Sequence, residues 1–220
     1  MEPYFIANHD SVHLRMISFP TLPDLPDREY KTVMADPPWA YDDDLPGPAR
    51  GSNSHYDTLH YGTVMGMGPQ IREITSSHAH LYLWTTNSFI QESIRVAEEW
   101  GFDQKSIVTW IKVQDEPYGL PHERDQAVNI IERIGMGNYL RNTTEHLLFC
   151  VKGTRGVELN NVPTHFFAER DEHSSKPTKA YRLVESLSPA PRIDLFSRTQ
   201  RKGWDGWGDE TPDNAALSDF

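Results

Sequence analysis

The stretch MADPPWAY, residues 34–41, decides how this chain is read, because it sets a short apolar run, YKTVMA (30–35), against two consecutive prolines. YKTVMA predicts a buried strand. The prolines end it: each fixes its own φ, neither offers an N–H, and the residue before a proline is driven to an extended conformation. Asp36 therefore stands at a rigid corner just past a strand. Its carboxylate, with the carbonyls of Asp36 and Pro37 pointing outward, predicts a cluster of acceptors without donors, and Trp39 adds a flat apolar face. Such acceptors suit an NH₂ group and such a face suits a planar ring, so the corner reads as a grip for the exocyclic amine of a nucleobase. The competing reading makes Asp-Pro-Pro a plain turn and Trp39 a core aromatic.

Outward from the corner the pattern alternates. Strands are predicted at HLYLWT (80–85), KSIVTWIKV (105–113), EHLLFCVK (145–152), PTHFFAE (163–169) and RIDLFSR (192–198). NSFIQESIRVAEEWG (87–101) predicts a helix capped by Asn87 or Ser88 and stopped by Gly101, and PTKAYRLVESLS (177–188) predicts a second, with Pro177 at its start. Two long connections, 42–62 and 114–144, separate these elements, the second with a helical piece at DQAVNIIERIG (125–135). Residues 1–29 read as an extended arm, 30–210 as the folded domain, and GWDGWGDETPDNAALSDF runs out into a polar tail over 211–220. Strands alternating with helices imply an α/β sheet covered on both faces, with ligands outside the carboxyl ends of the strands. The corner and the segment SRTQRKGW (197–204) both follow strands and so face one crevice.

A chain of 220 residues makes one domain that buries roughly 70% of its unfolded surface. No run approaches the ~20 apolar residues of a membrane span. MEPYFIANHD lacks the basic start and apolar centre of a secretory signal, and Cys150 is the single cysteine; both point to a reducing, cytoplasmic setting. Cys150, in LLFCV, reads as core. The net charge of −11 argues against a surface that coats phosphate backbones all over. It is uneven: residues 1–103 carry 6 Lys+Arg against 15 Asp+Glu, and residues 104–220 carry 15 against 17. An anionic ligand therefore favours the second half, where Arg133, Arg141, Arg155, Arg170, Lys179, Arg201 and Lys202 form a candidate basic rim, unless a partner supplies the grip.

The chemistry follows from the corner. An aryl amine is a poor nucleophile because its lone pair is delocalised into the ring. Acceptors that hold its N–H bonds favour the pyramidal geometry that frees the pair, and a methyl donor in line is then attacked, with positioning and charge stabilisation supplying the acceleration. No metal is needed, and none of the ten histidines has the spacing of a zinc site. Ser174 and Ser175 beside His173 lack a nucleophile elbow, so hydrolysis has no support.

The chain resembles the MT-A70 family of S-adenosylmethionine-dependent adenine N6-methyltransferases, particularly its small microbial and phage members. The resemblance is carried in order by VMADPPW (33–39), HYGTVM (60–65), HLYLWTTN (80–87), the run Trp100 to Lys112, GNYLRNTTEHLLFCVKG (137–153), HSSKPTKAYRLVESLSP (173–189), IDLFSR (193–198) and GWDGWGDE (203–210). It implies a Rossmann-like class I methyltransferase sheet whose catalytic corner precedes the cofactor strand, without a GxGxxG fingerprint. Asp36, Pro37, Pro38 and Trp39 would form the catalytic motif. S-adenosylmethionine would be held by Asp36, Lys176, Arg198, Asp209 and Glu210, and the target base by Trp39, Tyr61, Arg141 and Glu145. Some relatives place Asn-Gln where Asp209 and Glu210 stand and His-Asn near Thr199 and Gln200, and no separate target-recognition module is visible in the sequence. Trp84 and Trp110 read as core, and Glu145 as able to pair with a basic neighbour.

The implied reaction is methyl transfer to the N6 of adenine in DNA, ahead of RNA, on a flipped or single-stranded base, with the two long loops as pocket walls. The alternatives are an amino methyltransferase for cytosine N4 or another amine, and a non-catalytic nucleic-acid-binding subunit; the intact Asp36–Trp39 motif favours an active enzyme. A homodimer or an accessory subunit is the expected protein partner, and no membrane.

Overall fold

The computed structural model describes residues 28–39, 61–113, 140, 142–169 and 175–208. The arm up to residue 27, the loop residues 40–60, the helical piece at 125–135 and the tail lie outside the described residues. Seven strands form one sheet in the order β5-β3-β4-β2-β1-β6-β7. They are β1 (Tyr30–Ala35), β2 (Thr75–Thr85), β3 (Asp103–Val113), β4 (Thr144–Lys152), β5 (His165–Glu169), β6 (Arg192–Leu195) and β7 (Asp205–Trp207). The parallel pairs are β1 with β2, β1 with β6, β3 with β5 and β6 with β7, while β4 runs against both β2 and β3. The carboxyl ends of six strands and the amino end of β4 therefore share one edge.

Alternation along β1 and β2 divides the core in two. Val33, Ala35, Leu81 and Leu83 face a cluster containing Val64, Ile71 and Val96 from helices α1 (Tyr61–Gly66), α2 (Gly68–Ile74) and α3 (Ile90–Glu99), with Trp100 at the C-cap of α3. Met34, Tyr82 and Trp84 face the other way, with Ala180, Tyr181, Val184 and Leu187 of α4 (Thr178–Leu187). The near-continuous apolar runs are thus those of strands buried on both faces. The α/β sheet covered on both sides is as expected.

Gly101 adopts φ +88° directly after α3, as its role of helix stop requires, and its N–H donates to the Glu98 carbonyl at 2.9 Å. Three readings need correction. Residues 61–62 open α1 instead of closing a loop, and α2 follows after one residue; six- and seven-residue helices punctuated by glycine show too little periodicity to be seen. Strand β2 starts at Thr75, five residues early, because Thr75 pairs with Tyr30 of β1 ahead of an irregularity in that ladder, while its pairing with β4 begins at Ala79. Asp205–Trp207 is a seventh strand, with Trp207 buried against Phe196.

Candidate active site

β1 and β6 pair in register through Ala35 and Leu195, so the residues after them leave the same edge side by side. Asp36 is tied there by its N–H, which donates to the Leu195 carbonyl at 3.3 Å. Its side chain remains 31% exposed, and Oδ2 meets Lys176 Nζ at 2.8 Å. Lys176 stands two residues before α4, whose N-cap Pro177 holds an extended φ of −65° and ψ of 141° and so fixes the lysine's approach.

The same ammonium lies 3.3 Å from Glu145 Oε2, and Glu145 Oε1 accepts from Lys112 Nζ at 2.5 Å. This follows from register. Glu145 opposes Trp110 across the β3–β4 pair, and Lys112 is two residues further along β3 on the same face. Four charges thus run Asp36–Lys176–Glu145–Lys112. Beneath them lie two buried indoles: Lys176 Nζ is 5.3 Å from the Trp84 ring, Lys112 Nζ 5.1 Å from the Trp110 ring, and the rings meet edge-on at 6.1 Å. Indole faces offset part of the ammonium desolvation.

Burial alone would raise the Glu145 carboxyl, but Lys176 and Lys112 outweigh it and hold it below the usual range. Burial likewise disfavours the Lys176 ammonium, yet the Asp36 and Glu145 carboxylates push its pKa up. Both stay ionised at neutral pH. A further carboxyl, Asp194 on β6, is pushed up to about 7 by burial, while the Tyr181 hydroxyl, donating at 2.7 Å, partly opposes the rise and the Asp36 charge adds to it.

Two expectations about the corner change. The Pro37 carbonyl does not simply point outward: it accepts the Trp39 N–H at 2.9 Å in a tight turn. The Trp39 ring is not an open platform either. It is 6% exposed, stacks on Phe89 at 5.8 Å and 14°, and its Nε1–H donates to the Trp84 carbonyl at 3.1 Å. The end of β2 and the turn Asn87–Phe89 enclose it, so Trp39 braces the corner from below.

Tyr61, 36% exposed, opens α1. Arg198 follows β6 by three residues, past Phe196, whose φ of +62° is uncommon for a bulky residue and turns the chain so that Ser197 N–H reaches the Trp207 carbonyl. Arg141, Asp209 and Glu210 lie outside the described residues. The structure thus brings Asp36, Lys176 and Glu145 together. Sequence reading missed Lys112, Tyr181 and Asp194; the signal for Lys112 was the Trp-Ile-Lys spacing, legible only once β3 and β4 are paired. Trp84 and Trp110 are core, as expected, and Glu145 does pair with basic neighbours. Among the described residues no group of three His, Cys, Asp or Glu side chains is placed to hold a metal ion, and no helix is long and apolar enough to cross a membrane.

A mixed sheet with a single reversed strand and an acidic, proline-stiffened corner at its carboxyl edge is that of a Rossmann-like methyltransferase. The MT-A70 family model matches residues 30–210, and the chain belongs to that family. It is similar to the Type II methyltransferase M.MunI of a Mycoplasma species, 28% identical over 214 residues, covering 87% of this chain and 82% of that protein. It is also similar to a putative N(6)-adenosine-methyltransferase MT-A70-like protein of Medicago truncatula, 26% identical over 83% of this chain, and to the human N(6)-adenosine-methyltransferase catalytic subunit METTL3, 27% identical over 77%. The chain spans about a quarter of the length of the latter two, 26% of each.

Proposed function

We propose that the chain transfers the methyl group of S-adenosylmethionine to the N6 amine of adenine, in DNA ahead of RNA. The observation that carries this reading is Asp36: a carboxylate on a proline-stiffened corner, partly exposed, anchored through one oxygen by a buried lysine. DNA is placed first because the Mycoplasma Type II methyltransferase matches this chain over most of both lengths.

The donor set fits S-adenosylmethionine: a carboxylate for a sulfonium, Lys176 and Arg198 at the same edge for its carboxylate, and the Trp84 Nε1–H, buried without an acceptor among the described residues. Asp209 and Glu210 are assigned to its adenosine. When bound, this group supplies an electrophilic methyl carbon. Everything else is the chain's own. Asp36 accepts an N–H of the amine, which pulls the nitrogen toward the geometry that exposes its lone pair, and is the nearest base for the proton released after attack. Pro37 and Pro38 add no N–H to compete, and Trp39 keeps the corner from shifting. Lys176 fixes the carboxylate's orientation, while Glu145 holds Lys176. Tyr61 and Arg141 are assigned to the base.

Tritiated methyl transfer to adenine-containing DNA and RNA oligonucleotides, followed by nucleoside analysis, tests this. The expected label is on N6-methyl-deoxyadenosine. Label on cytidine or on protein overturns the adenine assignment, and label on RNA alone overturns the order of substrates.

A further inference from the structure

Beside the charged chain a groove of about 420 Å³ opens between α4 and the turn that follows β6. Thr178, Tyr181, Arg182 and Glu185 line one wall at i, i+3, i+4 and i+7, one face of the helix, and Arg201 and Lys202 line the other with Gln200. Three of these side chains are cationic. The one carboxylate, Glu185, already accepts the Trp204 Nε1–H at 2.8 Å. Among the described residues no ion pair forms with Arg182, Arg201 or Lys202.

The Arg201 guanidinium lies over the Tyr181 ring, 3.8 Å from its centroid, and the Tyr181 hydroxyl is bonded to Asp194. A guanidinium held by its face keeps its N–H donors in plane and turned outward, as a phosphate requires. The groove also continues the site. Thr178 follows Lys176 by two residues, and Asp194 feels the charges of both Asp36 and Arg201. By contrast, two members of the basic rim expected from sequence are tied to structure: Arg155 Nε donates to the His78 carbonyl at 2.6 Å, and Lys179 Nζ to the Phe167 carbonyl at 2.9 Å.

We propose that this groove is a track for the sugar-phosphate backbone, in which Arg182, Arg201 and Lys202 hold phosphates of the strand that carries the target base. A chain of net charge −11 thereby grips a polyanion through one local concentration of cations next to the reacting corner. The inference rests on the nucleic-acid reading above.

The test uses the full chain with Arg182→Gln and Lys202→Gln together, and a fluorescein-labelled, adenine-containing single-stranded oligonucleotide titrated across a salt series. Loss of two phosphate contacts should flatten the slope of log K against log salt by about 1.4 and weaken binding about tenfold near 0.1 M salt. S-adenosylmethionine affinity by calorimetry and the melting temperature should not move, and the charge-keeping pair Arg182→Lys with Lys202→Arg should restore binding. An unchanged slope overturns the track, as does loss of S-adenosylmethionine affinity with oligonucleotide binding intact, which would assign the groove to the methyl donor. The two readings fail separately: a flattened slope with no methyl transfer by either protein upholds the track and defeats the methyltransferase assignment, while methyl transfer with unaltered slopes does the reverse.

Discussion

At the carboxyl edge of the sheet Asp36, Lys176, Glu145 and Lys112 form a chain of charged groups, whereas toward the amino end of the same strands a comparable buried chain is neutral. There His80 Nε2 lies 3.1 Å from the Arg155 carbonyl, which can only accept, so the proton is on Nε2 and Nδ1 accepts from Ser188 Oγ at 2.6 Å. Ser188 Oγ in turn accepts from the Tyr82 hydroxyl at 2.7 Å. His80 and Trp84 stand four residues apart on the same face of β2, one in each network. Burial lowers the pKa of His80, and each of its donors and acceptors is matched without charge. A neutral network satisfies buried polar atoms at little desolvation cost, while a charged one needs a reason to be there. At the carboxyl edge the proposed reason is Asp36, whose carboxylate Lys176 holds in place while it remains partly open to solvent.

The largest effect that would break this contrast lies at Asp36. Asp36→Ala should lower methyl transfer by about 10³-fold, the scale on which a pre-oriented electrostatic group acts. Lys176 would keep Glu145, so the melting temperature should stay near that of the wild type. A variant retaining a tenth of the rate would mean that the charged edge is there for some purpose other than chemistry.

Next comes Glu145→Gln, which leaves two buried ammoniums, Lys112 and Lys176, sharing no carboxylate between them. With side chains only 11% and 12% exposed, the loss should be about 3 kcal/mol, read from the denaturant midpoint. Lys112→Met made together with Glu145→Leu should cost less than the sum of the single changes, since neither then strands the other. Simple additivity would show that the two groups do not interact.

The two networks also differ in how far the sequence announces them. Asp36 was legible because two prolines after an apolar run admit few conformations, and the strands and long helices were legible because burial on defined faces imposes periods of 2 and 3.6. Lys112 was not. A lysine closing a strand looks solvated until the β3–β4 register sets it diagonally from Glu145, and register is a property of two segments separated by thirty residues. The Trp39 ring misled for the same reason: whether it is open depends on Phe89, carried in by the turn after β2. The three-residue strand β7 and the short helices α1 and α2 owe their form to neighbours more than to any local pattern.

At the neutral end the expected effects are smaller. Ser188→Ala removes the hydroxyl that donates to His80 and accepts from Tyr82, leaving two buried groups without partners. About 2 kcal/mol of stability should be lost, with methyl transfer per folded molecule unchanged. A fall in that specific activity would mean the two ends of β2 are coupled and the contrast between them is too sharp.

The smallest effect is a pH dependence that sets the neutral end apart. His80 has its pKa lowered in the folded chain, chiefly by burial, whereas in the unfolded chain it titrates near 6.5. Above that pH both states leave the ring neutral and nothing changes. As pH falls through 6.5 the unfolded chain binds a proton that the folded chain refuses, so stability is lost until the lowered folded pKa is reached. Burial lowers His146 as well, against the opposing pull of the Glu145 charge, so the whole protein's curve mixes both rings. His80→Gln separates them, because it keeps a donor and an acceptor and removes the titration at this one position. The stability of the wild type relative to this variant, from denaturant midpoints, should be flat between pH 8 and 7 and fall steadily toward pH 5. A difference independent of pH would mean that His80 titrates in the folded protein as it does in the unfolded chain, and one that rose toward pH 5 would mean that the ring is held charged; either outcome shows that the network is not as drawn.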